Sequence, residues 1–192
     1  MNSSSDYYYL QQQLRDLLLS RSVRQGDFVL ASGQRSSFYI DARRTTMSGP
    51  GLALIGPLGL DRLAARGWEP RAVGGLTLGA DPVAYALASA ARGRGLALDA
   101  FTVRKQTKGH GTGQRIEGCF AAGLPVVIVE DVITTGASAH EAIVAVEKEA
   151  GQVLGVLAVV DREEGGRQLL ERAGYQVEAL VTATDLGLKM LA

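Results

Sequence analysis

The spacing of apolar positions changes several times along the chain. Leu10, Leu14, Leu17 and Leu18 fall at helical spacing and predict an amphipathic first helix ending near Ser20. A polar stretch at 1–8, expected to fray, precedes it. The runs FVLAS (28–32) and SFYID (37–41) read as two short strands about a Gly33-Gln34 turn. A helix is expected after Pro50, with Gly56-Pro57 kinking or interrupting it. From residue 72 onward the pattern alternates. Apolar strands are predicted at 72–75, 100–104, 125–130, 153–160 and 175–180. Helices are predicted after Pro82, at 138–150 and at 164–173, with a short helix closing the chain. Residues 104–118 interrupt this pattern with a polar, glycine-rich segment.

Apolar strands alternating with helices imply right-handed βαβ units and an α/β fold, its parallel sheet covered on both faces. In such sheets ligands bind beyond the carboxyl ends of the strands. That rule singles out Gly75-Leu76-Thr77-Leu78-Gly79, Arg104-Lys105, Glu130-Asp131 and Asp161-Arg162. No repeat, linker or charge block divides the 192 residues, so one domain is expected.

Twenty Lys and Arg balance twenty Asp and Glu, which argues against a nucleic-acid protein held by bulk charge but leaves room for a local basic loop. The single Cys119 rules out an intramolecular disulfide and any multi-cysteine metal site, and fits a reducing compartment. Cys119 is expected to pack as a small hydrophobe. Two histidines, His110 and His140, are too few for a His-rich metal centre, and His140 is given no role. No run approaches the ~20 apolar residues of a membrane span, and MNSSSDYYY lacks the basic start and apolar core of a signal peptide. A soluble cytoplasmic protein is expected. The 24 glycines, unusually many, fit either many tight turns or backbone that closely approaches a ligand.

The segment VVIVEDVITTGAS (126–138) carries the most chemistry. An apolar strand ends in Glu130 and Asp131; Val132 and Ile133 follow, then Thr134, Thr135, Gly136, Ala137 and Ser138 open a helix. Three hydroxyls and a run of backbone N–H groups at a helix N-terminus suit a dianionic phosphate, and Gly136 lets the backbone close around it. The acids suit vicinal sugar hydroxyls or a metal ion. Phosphate and sugar on one turn point to a ribose 5-phosphate. The plainer reading is a Ser- or Thr-capped helix with surface acids; it leaves two acids at the end of an apolar strand unexplained. A second segment, RKQTKGHGTGQRIEG (104–118), gathers Arg104, Lys105, Lys108 and His110 among glycines. It reads as a lid over a polyanion or, more plainly, as a solvated hairpin tip.

The segment at 126–138 resembles the phosphoribosyl diphosphate (PRPP) motif of type I phosphoribosyltransferases. The spacing R-K-x-x-K-x-H-G-x-G-x-x-I-E-G resembles the lid of one subfamily, orotate phosphoribosyltransferase. The hairpin F-V-L-A-S-G-Q-R-S-S-F-Y-I-D and the D-R-x-E-x-G after the strand at 153–160 resemble the same family, as does the 74–81 turn that its members set against pyrophosphate. The likeness runs from about residue 26 to the last strand.

By that resemblance residues 1–45 supply a hood over the base and 70–181 a PRPP-binding core. Glu130 and Asp131 engage the ribose hydroxyls, and Thr134, Thr135, Gly136, Ala137 and Ser138, with Val132 and Ile133, wrap the 5-phosphate. Arg104, Lys105, Lys108 and His110 reach the diphosphate. Orotate is met by Thr134, Arg162, Tyr39 and Ile40. The catalytic residues implied are Lys108, His110 and Asp131. The implied cofactor is Mg²⁺, carried mainly by PRPP, with Asp131 touching it through water and no side chain ligating it directly. The implied assembly is a homodimer whose 104–116 lid enters the neighbouring site. The implied activity is transfer of ribose 5-phosphate from PRPP to orotate, a step of pyrimidine biosynthesis. Some family members carry lysines where this chain has Ala31 and Gly79, which shifts charge neutralisation onto the lid. Two other readings are another base phosphoribosyltransferase and a non-catalytic PRPP-sensing regulator; the chain has neither the spare length nor the positive charge for the nucleic-acid module such a regulator would carry.

Overall fold

A computed structural model describes residues 4–29, 35–105 and 115–188. Helix α1 (Ser4–Arg21) buries Leu14 and Leu18 completely, as its leucine spacing requires. It starts earlier than expected, because Tyr7 packs under Arg62: the guanidinium lies 5.3 Å from the ring centroid, and Nη2 donates to the phenol oxygen at 2.6 Å. Strands β1 (Val23–Val29) and β2 (Arg35–Ile40) form an antiparallel hairpin. The first strand begins at Val23 rather than Phe28. Residues 24–27 are exposed, so no alternation of apolar residues marks them. The Gly33-Gln34 turn lies outside the described residues.

After a short α2 (Arg43–Thr46), helix α3 (Gly49–Ala65) is capped by Ser48, whose hydroxyl oxygen accepts from the Gly51 N–H at 3.1 Å. Gly56-Pro57 does not interrupt it. The helix buries Ile55, Leu58, Leu60 and Leu63, each worth about 1.5–3 kcal/mol, which offsets the ~3 kcal/mol of an interior proline. Gly56 has its own reason: a Cβ there would meet the Ala86 carbonyl oxygen of the next helix.

The core follows as β3 (Ala72–Leu76), α4 (Ala80–Gly93), β4 (Asp99–Val103), β5 (Ile116–Gly118), β6 (Pro125–Ile133), α5 (Ala137–Lys148), β7 (Gln152–Asp161), α6 (Gly166–Arg172) and β8 (Val177–Thr182). Its six strands stand in the order β5-β4-β3-β6-β7-β8. All neighbours are parallel except the edge strand β5, which runs antiparallel to β4. Both faces are buried. Val73, Val127, Val129, Leu157 and Val159 pack with α1, α3 and α4; Ala72, Val126, Ile128, Val156 and Ala158 pack with α5 and α6.

Three departures from the sequence reading matter. β6 runs on to Ile133, because the long β7 pairs with it as far as Ile133↔Asp161, so Glu130 and Asp131 lie inside a strand. The helix over 164–173 is shorter, and turns follow β8 as far as the described residues extend. Cys119 is exposed rather than packed, since it follows the edge strand β5. Helix α1 packs on α3 and β8, and Gln11 Nε2 donates to the Leu180 carbonyl at 2.6 Å. Among the described residues no helix is long and apolar enough to cross a membrane.

Candidate active site

The strand order reverses at β3. Its helical connection leads to β4 on one side, while β6 flanks it on the other. The carboxyl ends of β3 and β6 therefore splay around a crevice, where ligands of such sheets bind. A cleft of about 630 Å³ opens there, lined by Arg43, Leu76, Thr77, Leu78, Gly79, Arg104, Lys105, Glu130, Asp131 and Ser138. Beside it lies a small hollow of about 30 Å³, formed by residues 132–139 and Glu130. Glu130 and Ser138 border both.

The small hollow is the cradle read from the sequence. Gly136 caps α5 in the left-handed region at φ 80°, which turns the loop and aims the helix N-terminus at the hollow. The loop is buttressed from α6. The Gly166 N–H donates to the Thr134 carbonyl at 3.0 Å, and a Cβ on Gly166 would meet both that oxygen and the Gly136 nitrogen. Only a glycine at 166 allows this approach.

Glu130 is 4% exposed, and its Oε1 has no hydrogen-bond partner. Burial, then the neighbouring Asp131 charge, push its pKa up to about 8, while Lys105 pulls it down. Burial raises Asp131 as well, against hydrogen bonds from backbone N–H groups and the Arg43 charge. The Val132 N–H donates to Asp131 Oδ1 at 3.0 Å, and the carboxylate fills the space a Cβ on Gly79 would take. Glu130 is thus a buried carboxyl with an unpartnered oxygen, and Asp131 beside it is half-buried, an arrangement that is costly unless hydrogen-bond donors meet it.

The turn after β3 is held by Asp81 in the first turn of α4. Its two oxygens accept from the Thr77 hydroxyl at 2.7 Å and the Thr102 hydroxyl at 2.8 Å. The Thr77-Leu78 peptide bond is cis. Arg104 and Lys105 line the cleft from the end of β4, and Arg104 Nη1 donates to Glu117 at 2.8 Å. Arg115 closes the base of the same segment: the Arg104 N–H donates to its carbonyl at 2.9 Å, and Arg115 pairs with Glu141. Lys108 and His110 lie outside the described residues.

The residues expected to meet orotate lie outside the lining of the larger cleft. Arg162 follows β7, and its N–H donates to the Ile133 carbonyl at 3.0 Å, beside the cradle. Its guanidinium is 4% exposed, stacks 5.0 Å from the Phe38 ring centroid and lies 2.6 Å from Glu164. Nε and Nη2 make no hydrogen bond. Tyr39 is 39% exposed with its ring against Phe28, whereas the Ile40 side chain turns into the core, leaving only its backbone for a ligand. None of Arg162, Tyr39 and Ile40 lines the cleft. Sequence reasoning missed Arg43. Asp81 and Gly166 stand at the ends of the 74–81 turn and of the D-R-x-E-x-G segment, but the sequence assigned neither a role.

Over 177 residues the chain is 42% identical to the orotate phosphoribosyltransferase of Rhodopirellula baltica, spanning 90% of this chain and 92% of that one. It is 44% identical over 177 residues to the Mycobacterium avium orotate phosphoribosyltransferase, spanning 92% and 96%. Its structure is similar to that of Mycobacterium tuberculosis orotate phosphoribosyltransferase in complex with PRPP. The TM-score is 0.80 at 40% identity, covering 93% of this chain and 99% of that chain. No family model matches the chain. On the strength of these relatives and this site, the chain belongs to the orotate phosphoribosyltransferase family.

Proposed function

We propose that the protein transfers ribose 5-phosphate from PRPP to N1 of orotate, giving orotidine 5′-monophosphate and pyrophosphate. One observation carries this reading: Glu130 and Ser138 border both a small hollow at the N-terminus of α5 and a larger cleft rimmed by Arg43, Arg104 and Lys105. A ligand with phosphate at one end, diphosphate at the other and vicinal hydroxyls between matches that layout.

In this assignment the backbone N–H groups and hydroxyls of 134–138 hold the 5-phosphate, and Glu130 and Asp131 accept hydrogen bonds from the ribose hydroxyls. Bond breaking runs ahead of bond making, so C1 acquires positive charge beside these two acids. Lys105, Lys108 and His110 stabilise the departing pyrophosphate, and Lys108 or His110 donates a proton to it. Closure of the 104–116 lid excludes water, which would otherwise waste PRPP. The charge of orotate sits on its carboxylate, so the N1 proton leaves as the N1–C1 bond forms; its release to solvent balances the proton taken up by the departing pyrophosphate. Arg162, freed from Glu164, offers its fork to the orotate carboxylate.

Glu130 and Asp131 present oxygen donors, which suit Mg²⁺. Two carboxylates are too few to hold the ion alone, and among the described residues no group of three or more His, Cys, Asp or Glu gathers. The ion would therefore ride on the diphosphate, with Asp131 meeting it through water. When bound it supplies positive charge to the leaving group. The active form in this reading is a homodimer that shares its lids.

Loss of orotate absorbance, followed with PRPP and Mg²⁺ and with uracil, hypoxanthine and guanine in parallel, tests the assignment. Orotate consumption that needs both PRPP and Mg²⁺ is expected. Activity on another base alone would overturn the base assignment, and PRPP binding without turnover would favour a regulator.

A further inference from the structure

The wall of the cleft formed by the turn after β3, Thr77-Leu78-Gly79, presents no cation. A side chain at 79 would require the Asp131 carboxylate to shift. The rim formed by α2 does present one. Arg43, the first residue of α2, lines the cleft together with Gly79, Lys105, Glu130 and Asp131. Its Nε donates to Asp41 Oδ1 at 2.8 Å. That bond fixes the ε edge of the guanidinium and leaves the two-nitrogen η edge for another anion. Its side chain is 49% exposed, so it is not buried in a structural pair. Asp41, and more weakly Asp131, hold it firmly charged.

We propose that Arg43 binds the diphosphate of PRPP and the released pyrophosphate, with Asp41 as its positioning residue. A guanidinium fork meets two phosphate oxygens at once, which suits it to this task better than an ammonium. The inference rests on the PRPP reading of the cleft and extends it by one residue on the hairpin side.

Calorimetric titration with pyrophosphate, PRPP and ribose 5-phosphate, beside KM values for PRPP and orotate, tests it in Arg43→Ala, Arg43→Lys and Asp41→Asn. Arg43→Ala is expected to weaken pyrophosphate and PRPP binding by about 10- to 100-fold, the worth of one charge-assisted contact. Ribose 5-phosphate affinity and melting temperature should stay at wild-type values. Arg43→Lys should recover part of the loss, and Asp41→Asn should lose less than Arg43→Ala. Unchanged pyrophosphate affinity in Arg43→Ala would overturn the inference. So would a defect confined to the KM for orotate, or an equal loss of ribose 5-phosphate binding. If the wild-type protein binds pyrophosphate through Arg43 but consumes no orotate, this inference stands and the orotate reading falls.

Discussion

Glu130 is a carboxyl group held almost out of water, and its titration should be visible in stability. The unfolded group ionises near 4.5 and the folded one at about 8. Between about pH 5 and pH 8 the folded protein therefore binds more protons than the unfolded chain, and stability falls as pH rises through that window. The melting temperature of the wild-type protein should drop more steeply from pH 5 to 8 than that of Glu130→Gln; parallel curves would contradict the burial assigned to this acid. A second expectation concerns the lid. Lys108→Ala should cut turnover far more than it weakens orotate binding, and unchanged turnover would remove the lid from the mechanism. Single residues differ in how legible they are. Glu130 and Asp131 stand out in the sequence because acids interrupt an apolar strand. Arg43 does not, because Arg43-Arg44 reads as an ordinary surface pair until the chain brings α2 to the rim of the cleft.

The cradle depends on two glycines from different elements. Gly136 is strained for any other residue by its φ, and Gly166 is blocked by the Thr134 carbonyl and the Gly136 nitrogen. Gly166→Val should displace the loop, weakening ribose 5-phosphate binding about tenfold or more and lowering stability by about 1–3 kcal/mol. Phosphate titration and denaturant unfolding read the two effects separately, and wild-type phosphate affinity would refute the buttress. At this scale the sequence announces the strand–loop–helix of the cradle through its apolar run and its Thr, Ser and Gly punctuation. It says less where tertiary contacts decide. The Pro57 signal yields to burial of the α3 face. The exposed start of β1 has no apolar period, and β5 is three residues in a polar stretch. The length of β6 is set by its partner β7, which no local pattern encodes.

The whole molecule places its site where β3 and β6 diverge. The sequence predicts the alternation of strands and helices but not this order: after β5 the chain crosses back to the other side of β3, and only the packed sheet shows it. If the lid works in the neighbouring subunit, two inactive variants should complement each other. Mixing Lys108→Ala with Asp131→Asn and allowing subunits to exchange should restore about a quarter of wild-type activity, because half the dimers are mixed and each carries one intact site. No recovery after proven exchange would confine the lid to its own subunit. The most direct measurement of the account is a crystal structure of the protein with PRPP and Mg²⁺. It should show the 5-phosphate on the backbone of 134–138, the ribose hydroxyls on Glu130 and Asp131, and the diphosphate toward Arg43, Arg104 and Lys105. A phosphate bound elsewhere, with the 134–138 loop making no contact to it, would contradict the account.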